Sequence, residues 1–598
     1  MLLSLLYLLF VFSLAERKNE QQKEEKKRCM FIDARTVGDG EIIQTEICII
    51  GAGAAGITLA RQFSGQPFRV ILLESGGMQA DSATQALYAG KSTGLPYFPL
   101  DAARLRMFGG TTNHWGATCR PFSPFDFEAR DWIPHSGWPI QKSDVQPYYD
   151  RARAICWDGS PDWELADWEQ RDRFPVLPLA NSRVASRVAQ VVPAAERSFA
   201  KHYRDDLDHA PNVTTYLNAN VTEIVTNDEA NTVTDVRVAC LSGNRFSVKA
   251  GRFILAAGGM ENPRILLFSN RQQTAGLGNQ NDLVGRFFME HPRFEAGVIL
   301  PADRHLEMGF YETHGVSNTQ LLGYLGLTEE TIRKEKLVDI QVRMTPVYSA
   351  AYRESHATPE VASLQYLAQK LRRRELPDDF GTHVSNVVDD LLTAQEYFLT
   401  SAPLPVPKPL ALRKLLAASP AEREHLFPML FGDIAFVANE QIFSNTPLDH
   451  VRLSTRIDPV PNPDSRVMLG SERDSLGLPK IELHWQLSPL DKQSVRRTLE
   501  ILGAELGRAG LGRLQILMDD DDTTWPKDTL GGWHHMGTTR MSDDPKRGVV
   551  DRNCQVHGIS NLFIAGSSVF PTAGSGTPTM LLVSLALRLA DHITGLMP

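Results

Sequence analysis

An apolar run, a glycine-rich turn and a helical pattern follow one another near residue 50, and this succession constrains the fold more than any other feature. The run Glu46–Ile50 is typical of a buried parallel strand, and the turn Gly51–Gly56 reads GAGAAG. A second apolar run, Val70–Leu73, ends in the acid Glu74. A strand, a turn, a helix and a second strand with an acid at its tip predict a dinucleotide-binding unit.

Each residue type in the turn suits a pyrophosphate. Gly51 permits the tight turn, Gly53 lets the backbone approach the phosphates, and Gly56 lets the helix pack on the strand. The helical pattern ITLARQF follows the turn, and the N-terminus of that helix would offer unpaired N–H groups to the negative charge. The acid that ends the second strand would accept hydrogen bonds from ribose hydroxyls, which favours an unphosphorylated ribose over NADP.

Later strand patterns return to this unit and add a second one. Phe253–Gly259 and Asn561–Gly566 are apolar runs that end in glycine, and an amphipathic helix is predicted over Thr579–Ile593. Strand-like alternation over 450–487, followed by a helical run from Asp491, indicates an antiparallel sheet. The predicted fold class is α/β (α+β overall), with a Rossmann-like nucleotide-binding domain and an interleaved substrate domain built on that antiparallel sheet.

The chain is therefore predicted to alternate between the two domains. The segments are a signal-like or disordered extension (1–29), three parts of the nucleotide-binding domain (30–140, 213–300 and 526–598), a mixed connecting segment (141–212), and the substrate domain (301–525) with a helical insertion near 350–430. The last part carries the candidate catalytic residues.

Length and composition exclude several classes of protein. At 598 residues the chain exceeds what one hydrophobic core supports. Its 42% hydrophobic and 22% charged residues exclude disordered, fibrous and multi-span membrane proteins. A net charge of −9 argues against nucleic acid as a partner. The cysteines are far apart, so neither a metal site nor a disulfide framework is predicted.

The N-terminus has three interpretations, a cleaved signal, a membrane anchor and a later start, and the choice decides compartment rather than chemistry. Residues 2–14 are mostly apolar but too few to span a bilayer, and Ser13-Leu14-Ala15 forms a small-x-small cleavage site. Residues 16–28 are highly charged and are predicted to be disordered. Met30 is an alternative start, directly before the first strand. A start there implies a cytoplasmic protein, whereas a cleaved signal implies a periplasmic or secreted one.

Two segments are candidates for chemistry. Trp533–Thr538 contains adjacent histidines, and Phe108–Ala117 contains paired glycines followed by His114 and Trp115. Adjacent side chains point in different directions, so at most one histidine of the pair faces a given site. From these local patterns alone, polar core histidines and a glycine turn beside core aromatics explain the residues as well as a functional site does.

A series of motifs resembles the glucose–methanol–choline (GMC) oxidoreductases. Beside GAGAAG and its acid, the chain contains in family order MFGGTTNHWGATCRP, ILAAGGMENPRILL, LVGRFFMEHP, WHHMGTTRM and FIAGSSVFPTAGSGTPTMLLVSLALRLAD. The resemblance runs from about Met30 to the end and is closest to the branch of pyranose oxidase, fructose dehydrogenase flavoprotein subunits and bacterial glycoside oxidases. It implies FAD and oxidation of an alcohol to a carbonyl by hydride transfer to flavin N5.

The resemblance also assigns catalytic roles. The family's catalytic base is the histidine three residues before the glycine of a GT pair, which is His534 here. A neutral imidazole accepts the hydroxyl proton as the hydride leaves. The family's partner, His or Asn before the proline of an NPT-like motif, is replaced by Thr577, which binds substrate oxygen directly, through water or not at all. We therefore expect His535 to supply part of the missing polar contact.

Further residues are implied in FAD binding. His114 matches the histidine that carries a covalent flavin bond in pyranose oxidase, and the alternative is a ring packed beside the isoalloxazine edge. The implied cofactor-binding residues are Gly51, Gly53, Ala54, Ala55, Gly56, Glu74, Gly109, Gly110, Thr112, Asn113, His114, Trp115, Val221 near the adenine, Gly566 and Ser567 near the pyrophosphate, and Thr577.

The expected function is FAD-dependent oxidation of a secondary hydroxyl of a sugar or glycoside to a ketone. The alternatives are a GMC enzyme acting on a non-sugar alcohol, a hydroxynitrile lyase that keeps FAD without net redox chemistry, and a flavin-binding protein that has lost activity. The expected electron acceptor is oxygen, a quinone or a cytochrome, and a homo-oligomer is compatible with the sequence.

Overall fold

The computed structural model describes residues 30–348 and 447–597, apart from the isolated positions 117, 158, 180, 194, 195, 318, 522 and 523. The extension predicted over 1–29 and the helical insertion predicted near 350–430 lie outside the described residues. Within the described residues, no helix combines the length and the apolar character that crossing a bilayer requires.

A mixed sheet, here called the nucleotide sheet, carries the glycine-rich turn. Its strands are β1 (Phe31–Asp33), β2 (Ile42–Ile50), β3 (Val70–Leu73), β7 (Val213–Leu217), β8 (Asn220–Thr226), β9 (Val233–Ala239), β10 (Arg245–Leu255) and β19 (Leu562–Ile564). The order is β1-β7-β3-β2-β10-β9-β8, with β19 also paired to β10. The pairs from β1 to β10 and the β10–β19 pair are parallel, whereas β9 and β8 are antiparallel additions. All of β3 is buried, as is typical of a strand inside such a sheet.

Helices cover the nucleotide sheet and the second sheet. Those of the described residues are α1 (Ala54–Phe63), α2 (Ser82–Gln85), α3 (Pro124–Phe127), α4 (Lys142–Cys156), α5 (Phe199–Asp208), α6 (Glu261–Phe268), α7 (Glu329–Glu335), α8 (Pro489–Arg508) and α9 (Thr579–Gly595). Short 3₁₀ helices include Ala34–Thr36, Ala86–Tyr88, Gly110–His114, Leu165–Asp167, Gly309–Tyr311 and Ser567–Val569. The C-terminal helix α9 packs on α1 and α4, and it buries Leu581, Leu585 and Leu589 at a spacing of four residues.

A second large sheet is entirely antiparallel. Its strands are β5 (Thr118–Cys119), β6 (Val184–Val191), β11 (Glu295–Pro301), β12 (Thr313–Val316), β13 (Thr319–Leu327), β14 (Ile340–Tyr348), β15 (Leu448–Ile457) and β18 (Gly512–Ile516). The order is β18-β11-β15-β14-β13-β6-β5, with β12 paired to β13. On β14, Ile340, Val342 and Met344 point into the apolar core beneath α8, so the residues between them lie on the opposite face.

A small third sheet contains β4 (Gly90–Gly94), β16 (Arg466–Arg473) and β17 (Pro479–Trp485). Its order is β16-β17-β4, and β16 packs against α6 of the nucleotide-binding unit. The sequence prediction assigned the patterns within 450–487 to one antiparallel sheet, and this was wrong for β16 and β17. Their alternation specifies a strand, but long-range pairing decides which sheet the strand joins.

The predicted fold class is confirmed, since a Rossmann-like parallel sheet and an antiparallel sheet are interleaved along the chain. The antiparallel sheet also includes strands at 118–119, 184–191 and 295–301, which precede the segment 301–525 predicted for the substrate domain except for the shared residue 301. The segment 141–212 is therefore more than a connection, because it contributes β6 to one unit and α4 to the other. As predicted, the last strand and helix return to the nucleotide sheet through β19 and α9.

Candidate active site

The glycine-rich turn forms a cradle at the carboxyl end of β2. Gly51 has a φ of +105°, and a Cβ added there would lie 2.6 Å from the carbonyl oxygen of Ala256. A Cβ on Gly56 would lie 1.8 Å from the carbonyl oxygen of Gly51. A Cβ on Gly53 would meet no described atom within 4 Å. Protein contacts therefore require the first and last glycines, whereas the middle glycine borders open space where a ligand fits.

Glu74 holds the cradle in shape from the tip of β3. Its Oε2 accepts the N–H of Ala52 at 2.9 Å, and its Oε1 accepts the N–H of Gly76 at 2.8 Å. Burial raises the pKa of Glu74, and these N–H groups oppose that rise. A carboxylate has about four lone-pair positions, so this one keeps capacity for ribose hydroxyls.

A narrow, partly open cleft lies beside the cradle. Its lining includes Gly51, Arg106 and Val221. The Nε and Nη1 atoms of Arg106 are buried and have no hydrogen-bond partner among the described residues, although Nη1 lies 3.8 Å from a carboxylate oxygen of Glu261. Buried guanidinium N–H groups are normally satisfied, so an acceptor such as a pyrophosphate oxygen would complete this cleft. The residues present therefore fit the adenosine diphosphate part of FAD.

The second predicted glycine segment lies directly on the cradle. The N–H of Gly109 donates to the carbonyl of Ala52 at 2.9 Å. A Cβ on Gly110 would lie 3.2 Å from the Cα of Gly53, which is closer than side chains normally approach. Both glycines have positive φ, of 89° and 53°. The close approach of the two segments brings Gly109 and Gly110 beside the cradle that would hold the pyrophosphate.

The side chains after these glycines have separate roles. Thr112 and Asn113 donate to backbone carbonyls in or next to the 3₁₀ helix and so hold its shape. Trp115 packs edge-on against Phe199, with ring centroids 6.3 Å apart. His114 stacks on Trp533, with ring centroids 4.8 Å apart and an interplanar angle of 23°. His114 is therefore joined to the segment that contains the paired histidines.

Two segments distant in sequence pair to build the histidine-containing region. Met289 and Met536 exchange two backbone hydrogen bonds of 3.0 Å. Arg293 and Leu530 exchange bonds of 2.8 and 3.0 Å. Because this pairing is antiparallel, the residues between these two pairs lie opposite one another.

Within this pairing, the side chains of His534 and His291 and the carbonyl of Gly574 form a chain of hydrogen bonds, here called the relay. His291 Nε2 lies 2.7 Å from the carbonyl oxygen of Gly574, and the two Nδ1 atoms lie 2.7 Å apart. A carbonyl oxygen only accepts, so Nε2 of His291 carries the hydrogen. Neutral His291 then accepts at Nδ1 the hydrogen that His534 donates from its own Nδ1. This leaves the lone pair of a neutral His534 on Nε2, where it can accept a proton.

Burial keeps both rings neutral. It lowers the pKa of His291 to about 3 and lowers the pKa of His534 well below that of an ordinary histidine. The nearby positive charges of Arg456 and Arg293 lower both pKa values further. A neutral imidazole is the form that acts as a general base, and it is the form that the relay requires.

The carboxylate of Glu290 joins its own segment to the segment of His534 through hydrogen bonds. Its Oε1 accepts the N–H of His291 at 2.8 Å and that of His534 at 2.9 Å, and its Oε2 accepts the hydroxyl of Tyr97 at 2.6 Å. Nε2 of His535 lies 2.8 Å from the same hydroxyl. Because the single hydroxyl hydrogen goes to the carboxylate, His535 donates to Tyr97. The two adjacent histidines therefore belong to different hydrogen-bond chains.

The backbone kinks immediately before the candidate base. Trp533 has a φ of 63°, in the left-handed region that is unfavourable for a bulky residue. The next N–H, that of His534, is held by Glu290, and the indole is held by its stacking on His114. Such a conformation persists when surrounding contacts determine it, and it is characteristic of functional sites.

The remaining predicted residues lie in the last loops. The hydroxyl of Ser567 donates to the carbonyl of His535 at 2.7 Å, and Gly566 before it has a φ of +114°. The hydroxyl of Thr577 donates to the carbonyl of Thr118, so its hydrogen is not directed at either histidine of the relay. The loop that ends at Thr577 meets the relay through the Gly574 carbonyl instead.

Four residues of this site were not identified from the sequence: Tyr97, Arg106, Glu290 and His291. For Glu290 and His291 the sequence contained a signal of a polar site, because an acid and a histidine stand side by side after an apolar stretch in LVGRFFMEHP. Neither Tyr97 nor Arg106 had a local signal, because their importance depends on which distant groups they meet.

Comparisons with known proteins identify two matching families and several similar proteins. Residues 46–374 match the family described as FAD dependent oxidoreductase, and residues 461–586 match the C-terminal model of the family described as GMC oxidoreductase. Paromamine 6'-oxidase from Streptomyces fradiae is 22% identical over 92% of this chain and 91% of its own length. The fructose dehydrogenase large subunit from Gluconobacter japonicus is 21% identical over 92% of this chain and 98% of its own length.

A shorter match and a solved structure complete the comparison. C-glycoside 3-oxidase from Microbacterium trichothecenolyticum is 36% identical over 125 residues, which are 21% of this chain and 23% of that protein. The crystal structure of a pyridoxine 4-oxidase from Mesorbium loti superposes with a TM-score of 0.50 at 16% identity, covering 92% of this chain and 99% of that one. The structural similarity supports the fold.

Proposed function

The chain belongs to the FAD-dependent oxidoreductases of the GMC family, and from that premise we propose that it oxidises a secondary ring hydroxyl of a sugar or glycoside to a ketone. A sugar or glycoside is supported by the names of its relatives, which include a paromamine oxidase, a fructose dehydrogenase and a C-glycoside oxidase. The observation that carries the proposal is the relay that leaves an unprotonated Nε2 on a half-buried, neutral His534.

FAD is the cofactor of the chain, and the cradle, Glu74 and Arg106 would hold its adenosine diphosphate part. Bound FAD would supply the acceptor, flavin N5, for the hydride of the carbinol carbon. His534 Nε2 accepts the proton that the hydroxyl loses as the carbonyl forms, so that one hydride and one proton leave the alcohol together. His291 keeps the Nε2 lone pair of His534 available and stabilises the charged ring through its Nδ1 hydrogen bond.

Glu290, Tyr97 and His535 act in this proposal as positioning residues. Glu290 fixes the backbone of both relay histidines, and Tyr97 and His535 orient its second carboxylate oxygen. The sequence prediction that His535 supplies part of the polar contact to the substrate stays a prediction. For Thr577, direct contact with substrate oxygen, contact through water and no contact remain the alternatives. Their hydrogen bonds to Tyr97 and to the carbonyl of Thr118 favour a supporting role.

The test is an anaerobic visible spectrum of the purified protein titrated with methyl glycosides. Reduction of the flavin band by a glycoside is the expected result, and His534→Ala should slow that reduction by about 10²- to 10⁴-fold while retaining FAD. Arg452→Gln serves as a control, because Arg452 lies on the antiparallel sheet and pairs with Glu295 at 3.6 Å. A flavin that only non-sugar alcohols reduce would overturn the sugar assignment, and a flavin that no alcohol reduces would favour the lyase or an inactive protein.

The same experiment can identify the electron acceptor. We propose oxygen, a quinone or a cytochrome, since the relatives include both oxidases and dehydrogenases by name. Admission of air to the reduced protein separates them, because rapid return of the flavin band identifies oxygen. Slow return with rapid oxidation by an added quinone or cytochrome identifies the other class.

A covalent bond between His114 and the flavin is a second part of the proposal. This bond can be detected directly. Its stacking on Trp533, next to the candidate base, supports a position beside the isoalloxazine ring. Acid precipitation of the protein separates a covalent flavin, which stays in the pellet, from a dissociable one. A covalent flavin that persists in His114→Ala would exclude His114 as the attachment residue.

A further inference from the structure

The loop that carries the Gly574 carbonyl is held from one end of the antiparallel sheet. Ser575, the next residue, is buried, and its hydroxyl donates to Oδ2 of Asp339 at 2.6 Å. Asp339 directly precedes β14, and the N–H of Ile340 donates to Oδ1 of Asp339 at 3.0 Å. A carboxylate at the start of a central strand is therefore bonded to the residue that follows the relay carbonyl.

Asp339 is itself fixed by an arginine. Nη1 of Arg187 donates to both carboxylate oxygens, at 3.1 and 2.9 Å, and Nη2 donates to the carbonyl of Leu327 at 2.6 Å. Burial alone would raise the pKa of Asp339, but the charge of Arg187 and the hydroxyl of Ser575 outweigh burial and lower the pKa below its ordinary value. Asp339 is therefore ionised at neutral pH, and an ionised acceptor strengthens the hydrogen bond from Ser575.

A second buried carboxylate lies beside the first. Asp458 follows β15, and its N–H donates to the carbonyl of Asp339 at 2.9 Å. Nη2 of Arg130 donates to Oδ2 of Asp458 at 3.0 Å, and both side chains are 1% exposed. Burial raises the pKa of Asp458, and the backbone N–H of Gly574 opposes that rise, so Gly574 faces this carboxylate. Buried ion pairs contribute little to stability, so two of them side by side against one loop indicate a role in positioning it.

The loop is also held at residues other than Ser575. The hydroxyl of Thr572 donates to the carbonyl of Asp126 at 3.0 Å. Gly574 has a φ of +61°, and a Cβ added there would lie 2.7 Å from the ring of Phe122. The backbone around Gly574 is therefore confined, and the Ser575 hydroxyl supplies the side-chain contact adjacent to the relay carbonyl.

The direction of the Gly574 carbonyl decides which nitrogen of His291 carries the hydrogen. While the carbonyl points at Nε2, His291 is protonated there and accepts at Nδ1 the hydrogen of His534. If the carbonyl turned away, His291 could carry its hydrogen on Nδ1 and donate it to His534. A neutral His534 would then carry its own hydrogen on Nε2, and that atom would have no lone pair to receive a proton.

We propose that Ser575 and Asp339 are positioning residues for proton transfer. Asp339 holds the hydroxyl of Ser575, which fixes the carbonyl of Gly574. That carbonyl keeps His291 in the tautomer that leaves Nε2 of His534 able to accept a proton. The inference rests on the proposed function, because it concerns the base of that reaction, and the effect of both residues must pass through His291.

The test is a double-mutant cycle, measured by rapid anaerobic mixing of the holoenzyme with the alcohol that reduces its flavin best. Ser575→Ala should slow flavin reduction at saturating substrate by about 10-fold, with less than about a 2-fold change in the substrate dissociation constant. In a His291→Phe background the same substitution should change the rate by less than about 2-fold, because the tautomer that Ser575 selects no longer exists.

Ser584→Ala is the matched control. Ser584 is also buried, and its hydroxyl donates to the carbonyl of Met580 at 2.9 Å within α9, away from the relay. This variant should reduce the flavin within about 2-fold of the wild-type rate. Thermal unfolding of every variant separates the two kinds of effect, because lost stability should persist in the His291→Phe background and lost rate should not.

Asp339→Asn extends the cycle to the carboxylate. Loss of the charge weakens the acceptor of the Ser575 hydroxyl, so flavin reduction should slow by about 3-fold while Ser575 is present. In Ser575→Ala, the further substitution of Asp339 should cause no additional slowing.

Three results would overturn the inference and leave the proposed function standing. They are equal slowing by Ser575→Ala with and without His291, slowing no larger than that of Ser584→Ala, and an effect of Asp339→Asn that persists in Ser575→Ala. If no alcohol reduces the wild-type flavin, the proposed function fails, and selective ¹⁵N labelling of histidine still decides the inference. Ser575→Ala should then shift hydrogen of His291 from Nε2 towards Nδ1, and an unchanged tautomer would overturn the positioning role.

Discussion

The cradle for FAD and the relay for proton transfer are built in opposite ways. The cradle is local: Gly51, Gly53 and Gly56 follow one strand, and a single turn positions them. The relay joins His291, His534 and Gly574, from three separate parts of the chain. The cradle therefore depends on the absence of side chains, whereas the relay depends on the alignment of distant hydrogen-bonding atoms.

This difference indicates how each region should fail. A glycine replaced in the cradle introduces a collision, with the protein at Gly51 or Gly56 and with the bound cofactor at Gly53, and FAD binding should weaken or be lost while the catalytic histidines are unaltered. A residue replaced in the relay introduces no collision, and FAD should stay bound while the rate of its reduction falls. The predictions below are ordered from the largest expected effect to the smallest.

The largest effect is expected for Gly56→Ala. The new Cβ would meet the Gly51 carbonyl at 1.8 Å, so the turn must move at a cost of more than about 3 kcal/mol. The flavin-to-protein ratio after purification should approach zero. Gly53→Ala is the matched variant, because its Cβ meets no described atom within 4 Å. Its apoprotein should unfold at the wild-type temperature and bind FAD more weakly; wild-type affinity would contradict a cofactor contact at Gly53.

A smaller and different effect is expected for His291→Phe. Phenylalanine keeps a ring but removes the Nδ1 acceptor, so His534 is free to place its hydrogen on Nε2. We expect flavin reduction to slow by about 10- to 100-fold with a normal flavin-to-protein ratio, in rapid-mixing measurements. His291→Asn keeps an acceptor and should recover part of the rate. Equal rates for the two variants would show that the acceptor is unimportant.

Glu290→Gln should have a moderate effect. Glutamine has one acceptor oxygen in place of two, and its amide hydrogens face groups that are themselves donors, at a cost of about 1–3 kcal/mol. The unfolding temperature and the reduction rate should fall together. Tyr97→Phe removes only one of these hydrogen bonds and should cause a smaller fall in both. A larger effect of Tyr97→Phe would assign the leading role to the tyrosine instead.

The smallest effect is expected for Thr577→Val. Valine has the same shape but cannot donate to the carbonyl of Thr118, so stability should fall by about 1 kcal/mol. The reduction rate should change by less than about 3-fold, since the rate depends on groups that this hydroxyl does not contact. A fall as large as that of His534→Ala would restore the sequence prediction that Thr577 meets the substrate.

The same contrast explains how much the sequence could reveal. The strand Val70–Leu73, the acid after it and the glycine turn were all predicted, because local geometry fixes them. The helix predicted over Thr579–Ile593 occurs as Thr579–Gly595. By contrast, nothing local in LVGRFFMEHP predicts that His291 meets His534, because pairing between segments some 240 residues apart creates that contact.

The most direct test of the central claim is the pH dependence of flavin reduction by a glycoside under anaerobic conditions. A general base must be neutral, so the rate should fall as the pH drops through the pKa of His534. Because burial lowers that pKa, the fall should occur well below the ordinary value for histidine of about 6.5, and it should disappear in His534→Gln. A fall at or above the ordinary value, or one that persists unchanged in His534→Gln, would contradict a half-buried, neutral His534 as the base.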